Sequence, residues 1–188
     1  MNGEERQRTA AGAVPREFRR ELYRITEEQL LPSHVEAIAR LRGSYPHSIS
    51  FVEDGTIGPH GYNCFMYALS LRHLSQNLVD IATRVEAAHP GSDFVVELLD
   101  TCYLQEIGHA EARDGSVLIY FEARVPRHAG VFRQDGFVIS KWGLGHVWRH
   151  PIFEVPSYYG DEVRFFHSLF QTMSFDSLFP MSNVSLAK

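Results

Sequence analysis

The stretch Ser116-Val117-Leu118-Ile119-Tyr120-Phe121, followed by Arg127-His128-Ala129-Gly130-Val131-Phe132 and then by Phe137-Val138-Ile139-Ser140-Lys141-Trp142, decides the fold. Each block is short, rich in β-branched and aromatic residues, and bounded by turn-forming residues such as Gln134-Asp135-Gly136. Such blocks read as consecutive strands of an antiparallel sheet. If Gln134-Asp135-Gly136 is a three-residue loop with Gly136 left-handed, Arg133 pairs with Phe137 and Gly130 with Ser140. Ser140 then shares a sheet face with His128 as its diagonal neighbour. A two-residue Asp135-Gly136 loop would bring Lys141 to that face instead.

Working outward, strands are predicted at 117–123, 129–133, 137–142, 147–155 and 162–166. Upstream of Gly108 the spacing changes to that of helices. Pro15 suits a first helical position, and Phe18, Leu22 and Ile25 follow at helical intervals. Pro32 breaks that run. Ser33 with Glu36 makes a capping-box pattern for a second helix, whose buried stripe is Val35, Ile38 and Leu41 and whose end is Gly43. The stretch 44–62 reads as a loop. A third helix opens at Asn63 and runs to about Leu71. A fourth carries Leu74, Leu78, Ile81 and Val85 and stops at His89-Pro90. Ser92 caps a fifth, with Val95, Leu98, Leu99 and Cys102 on one face. Helices followed by strands give an α+β protein, N-terminal helices packed on a C-terminal antiparallel sheet. Residues 1–14 read as a flexible tail and 15–188 as a single domain. Within it, 15–59 form a helical N-terminal extension, 60–166 the core, and 167–188 a Ser-, Phe- and Leu-rich strap.

The totals fit that outline. The 188 residues are 44% hydrophobic and 22% charged, as in an ordinary globular domain. A net charge of −5 gives no electrostatic reason for nucleic acid or an anionic membrane as partner. No stretch approaches the about 20 apolar residues that span a bilayer, and the N-terminus lacks a signal-peptide core. A cytoplasmic protein is expected. Two cysteines, Cys64 and Cys102, are too few for a disulfide scaffold.

Chemistry centres on Cys64. It follows Asn63, a preferred N-cap, and precedes Phe65-Met66-Tyr67-Ala68-Leu69. The sulfur then sits in a first helical turn, where free N–H groups and the helix dipole favour thiolate and can donate to an oxyanion. Cys102, expected in mid-helix on an apolar face, reads as structural. Among ten histidines, His128 stands out because it opens a strand that can be aimed at a helix packed across the sheet. A thiol paired with an imidazole in this way is activated at neutral pH. Ser140 is the candidate third residue, orienting the imidazole.

This order of features resembles the NlpC-type cell-wall peptidases and their relatives, a branch of the papain-like fold. In them a Cys at a helix start pairs with a His opening a strand of the form His-Val-Gly-Ile-Tyr, and a third polar residue follows about a dozen positions later. The resemblance covers roughly residues 60–166, and it implies a papain-like core with Cys64 as nucleophile, His128 as base and Ser140 in the third place. The chain departs from the family in reading Asn63-Cys64-Phe65-Met66 where the family has Asp-Cys-Ser-Gly, and in its serine at the third position.

The expected function is therefore a thiol hydrolase (amidase, peptidase or acyl transferase) acting on a peptide or a small amide or ester, with no metal or organic cofactor required. The alternative is a non-catalytic relative serving as a binding module. Tyr62 and Asn63, beside the cysteine, and Trp142, in a glycine-bearing loop, are candidate substrate contacts, though Tyr62 fits packing equally well. His146 and His150 have a spacing known from metal pairs but no accompanying carboxylate or thiol at a recognised interval, so they read as structural.

Overall fold

A computed structural model describes residues 14–28, 31–55, 62–71, 91–143 and 145–169. The elements are α1 (Arg16–Glu28), α2 (His34–Leu41), β1 (Ser50–Glu53), α3 (Cys64–Ala68), α4 (Ser92–Asp100), β2 (Leu104–Ile107), β3 (Val117–Glu122), β4 (Val125–Phe132), β5 (Phe137–Lys141), β6 (Val147–Pro151) and β7 (Glu162–Ser168). The strands form one antiparallel sheet in the order β1-β6-β5-β4-β3-β7-β2. The protein is thus α+β, N-terminal helices with a seven-stranded antiparallel sheet.

Strand β3 shows why helices lie on both faces. Val117, Ile119 and Phe121 pack with Phe65, Met66, Val95 and Leu98 of α3 and α4. Leu118 and Tyr120 pack with Phe18, Leu22 and Ile25 of α1 and Ile38 of α2. Alternation sends successive residues to opposite faces, so a strand apolar at both parities needs cover on both. Fully burying a side chain such as Leu22 contributes about 2 kcal/mol.

The β4–β5 connection is the three-residue loop: Arg133 N–H donates to Phe137 O at 2.8 Å, Gly136 N–H donates to Arg133 O at 2.9 Å, and Gly136 has φ +84°. Gly130 permits the close approach of β5, since a Cβ there would fall 2.9 Å from Ser140 Cβ and closer still to Val138.

Several expectations are corrected. Ser33 does not cap α2; it is helical (φ −89°, ψ −11°) because the turn Leu31–Ser33 runs straight into the helix. Val35 is exposed, and His34 takes the buried place beside Ile38. The 44–62 loop contains β1, an edge strand whose Phe51 and Val52 are both exposed and so carry no alternation. Ser92 begins α4, but its hydroxyl donates to Pro126 O at 2.6 Å, tying the helix to β4. Cys102 lies past the end of α4, exposed, with φ +60°. Strand β2, whose apolar pattern is interrupted by the exposed Gln105 and Glu106, is an addition to the expected strands. The expected fourth helix and nearly all of the tail and strap lie outside the described residues.

One buried ion joins the layers. Arg19 of α1 donates through Nε to Val155 O at 3.1 Å and through Nη2 to Gly160 O at 2.7 Å, and it pairs with Asp161. The segment carrying Tyr159 is thereby held against the sheet.

Candidate functional site

Asn63 caps α3 as expected, its side chain accepting from Met66 N–H at 2.9 Å. Cys64 is therefore the first helical residue. Its half-buried side chain packs with the cluster between α3, α4 and the sheet. The backbone N–H groups of Ala129, Phe65 and Cys64 itself face the sulfur and favour the thiolate, as does the nearby Lys141. Burial outweighs them and pushes the thiol up to about 11. The dipole argument is right in sign, but desolvation is larger.

The approach of Ala129 to the sulfur follows from the sheet. The β4–β5 ladder ends at Val131 opposite Ile139, so toward Gly130 and Ser140 the strands are no longer paired, and α3 packs against both.

His128 is the next residue along β4. Tyr120 lies opposite it, while Ile119 lies opposite Ala129. Alternation thus directs Ala129 toward α3 and the His128 side chain toward the α1 side of the sheet. Arg127, just before it, is the extra residue of a bulge between the pairs Tyr120–His128 and Phe121–Pro126. Such bulges re-aim a side chain. The imidazole is wholly buried and stacked on Tyr159, with centroids 3.8 Å apart and planes 6° apart. Neither ring nitrogen has a hydrogen-bond partner among the described residues, Cys64 included. Burial, aided by His150, holds the imidazole well below the ordinary histidine range. Tyr159 also lies near enough to Cys64 for a thiolate there to help hold its phenol protonated, behind burial as the larger cause.

Ser140 lies on the His128 face, but its bonds go elsewhere. His150 Nδ1 lies 2.8 Å from Pro151 O, which can only accept, so Nδ1 carries the proton. Nε2 then accepts from the Ser140 hydroxyl at 2.8 Å, and Ser140 Oγ accepts from Trp142 Nε1 at 3.1 Å. Burial brings His150 down to about 4, which keeps this neutral arrangement in place. Trp142 is buried beside Trp148 and His150 in the cluster on the α1 side. His146 bridges Asp54 and Leu31 O, both at 3.1 Å. Among the described residues no group of three or more His, Cys, Asp or Glu is arranged to hold a metal.

On the other face, Lys141 is buried, donates to Gly145 O at 2.7 Å and lies 5.0 Å from the centre of the half-buried Tyr62 ring. Tyr62 in turn stacks on Tyr67. The structure thus brings Cys64, Asn63, Tyr62 and Lys141 together on one face of the sheet, while the His128 ring lies on the other and makes no hydrogen bond to Cys64. Ser140 and Trp142 belong to the His150 cluster. Tyr159 and the environment of Lys141 were missed from sequence; both depend on irregular segments, around 155–161 and 142–146, whose path no periodicity encodes. His150 had a usable signal, since the β5–β6 hairpin makes it a diagonal neighbour of Ser140.

No family model matches this chain, and neither a curated protein nor a solved structure does.

Proposed function

We propose that the protein is a papain-like thiol hydrolase, an amidase, peptidase or acyl transferase, with Cys64 as nucleophile and His128 as base. The observation that carries this reading is the buried His128 ring, whose two nitrogens have no hydrogen-bond partner, one residue before the Ala129 N–H that faces the Cys64 sulfur. Buried polar groups are nearly always bonded, and an exception calls for a role. Burial holds the thiol up and the imidazole down, so the resting pair is neutral. Turnover requires the His128 ring, which rests on the α1 side of the sheet, to reach the sulfur; it then takes the thiol proton as sulfur attacks the carbonyl, and the tetrahedral oxyanion takes N–H donors from the start of α3. The proton goes on to the departing amine or alcohol, and water or an amine then resolves the thioester.

Acylation by p-nitrophenyl acetate, read by intact-protein mass in a Cys102→Ala background, tests the reading. An acetyl group on Cys64 is expected, formed about a hundredfold more slowly in His128→Ala. Equal rates in the two proteins would remove His128 as base. The elevated thiol pKa favours a second reading, a non-catalytic binding module of the same fold. A folded protein whose Cys64 takes up no acyl group would establish that reading instead.

A further inference from the structure

Resting on Cys64 as the nucleophile, we propose that Lys141 is the charge partner of its sulfur: an ammonium fixed on β5, beside the first turn of α3, that stabilises the negative sulfur as it forms. Lys141 acts through Cys64 and is a positioning residue. Four observations support this. First, Lys141 is only 1% exposed, yet it forms no ion pair with a carboxylate among the described residues. Its donors go to two carbonyls, Gly145 O at 2.7 Å and Gly143 O at 3.3 Å. Burying an ammonium without a carboxylate in contact carries a desolvation penalty, which a neutral residue at this position would avoid.

Second, the ammonium is caged on the Cys64 side. It lies over the Tyr62 ring, two residues before the cysteine, and a Cβ on Gly55 would fall 3.3 Å from Nζ. Third, the sheet aims it there. Lys141 pairs with Val147 while Ser140 pairs with Trp148, and Trp148 and Ser140's partner His150 lie on the α1 side. Alternation therefore sends Lys141 to the opposite face, where β5 packs on α3. Fourth, the coupling is reciprocal: Lys141 lowers the thiol and a Cys64 thiolate raises the ammonium.

The other titratable groups around the pair are Asp54, which favours the ammonium, His146, bonded to Asp54, and Tyr159, on the far side of the sheet, whose phenol a Cys64 thiolate helps keep protonated. Burial brings Lys141 down to about 8, so the charge is mostly present at neutral pH and fades just above it.

The test is the pH profile of Cys64 alkylation by iodoacetamide in a Cys102→Ala background. Lys141→Met should slow alkylation about tenfold at pH 7, where the ammonium is mostly charged, the difference fading above about pH 8 as the lysine loses its proton, and Lys141→Arg should restore most of the rate. A merely structural lysine, stapling the 143–145 turn, would change unfolding in urea without moving the profile. An unchanged profile in folded Lys141→Met overturns the proposal. If that variant does not fold, Lys141→Gln retains a donor for the carbonyls. A wild-type measurement stands independently of both: a fixed ammonium should speed iodoacetate relative to iodoacetamide, compared with the same thiol in urea, and an equal ratio overturns it. Failure here is separable from failure of the hydrolase reading. Acylation that depends on His128 with a profile indifferent to Lys141 removes only this inference; the reverse pattern removes only the base.

Discussion

Two buried histidines on one face of the sheet live in opposite circumstances. His150, on β6, has both ring nitrogens bonded, to Ser140 and to the carbonyl of Pro151. His128, where β4 pairs with β3 but no longer with β5, has neither bonded among the described residues, and its contacts are aromatic. Both are held neutral by the same cause, burial. The difference separates a histidine that holds a hairpin together from one whose proton chemistry is unspent. A satisfied buried network stabilises and specifies a core, while an unsatisfied group costs desolvation without return.

The comparison is sharpest in stability. His150→Leu strands the Ser140 hydroxyl and the Pro151 carbonyl, and urea unfolding should show a loss of about 3 kcal/mol. A loss below about 1 kcal/mol would place the Ser140–His150–Trp142 network outside the stabilising core.

Acid comes next. In the unfolded chain a histidine takes its proton near pH 6.5, whereas folded His150 takes it near 4. Between those values the unfolded state binds more protons, so stability rises with pH. The contribution is whole above about 6.5 and lost on the way down to about 4, on the order of 3 kcal/mol. His128, lowered for the same reason, adds in the same direction. Urea midpoints at pH 7, 5.5 and 4.5 should fall in that order, and His150→Asn should flatten the trend. A wild-type midpoint constant over this window would contradict the neutral, buried assignment of both rings.

A smaller effect probes the other face. Asn63→Ala removes the side-chain acceptor at the start of α3 and should cost about 1 kcal/mol, and it should slow Cys64 acylation as the first turn loosens. Acylation at the wild-type rate would show that the cap does not hold the sulfur in place.

The smallest change is expected at His128 itself. Phenylalanine keeps the stack on Tyr159 and removes two unbonded nitrogens, so His128→Phe should unfold within about 1 kcal/mol of wild type or later. A large destabilisation would mean that this imidazole is bonded after all, and the contrast with His150 would collapse.

Much of this architecture is legible in the residues. Phe18, Leu22 and Ile25 mark the face of α1, Asn63 marks the start of α3, and Gln134-Asp135-Gly136 sets the register that brings Gly130 against Ser140. The edge strands were hidden because Phe51 with Val52, and Gln105 with Glu106, do not alternate in and out of water. Cys102 was misread because the apolar spacing of α4 continues past the left-handed turn that ends it. Cys64 and its cap Asn63 could be placed at a helix start from sequence because each is defined by neighbours along the chain, whereas the bulge at Arg127 and the face that His128 takes could not. Nor could the partner of Ser140 and the ring over His128.

The sequence alone determined the order of helices and strands, the β4–β5 turn and the position of the cysteine at a helix start, because each depends on spacing and on local backbone preference. Tertiary structure alone decided that Tyr159, on a segment held by Arg19, covers His128, that Ser140 serves His150, and that Lys141 stands beside Cys64. It also decided the sign of the shift at the thiol. The dipole of a helix end is local, but desolvation sums over everything that excludes water from the sulfur, and that sum exists only once the chain is packed.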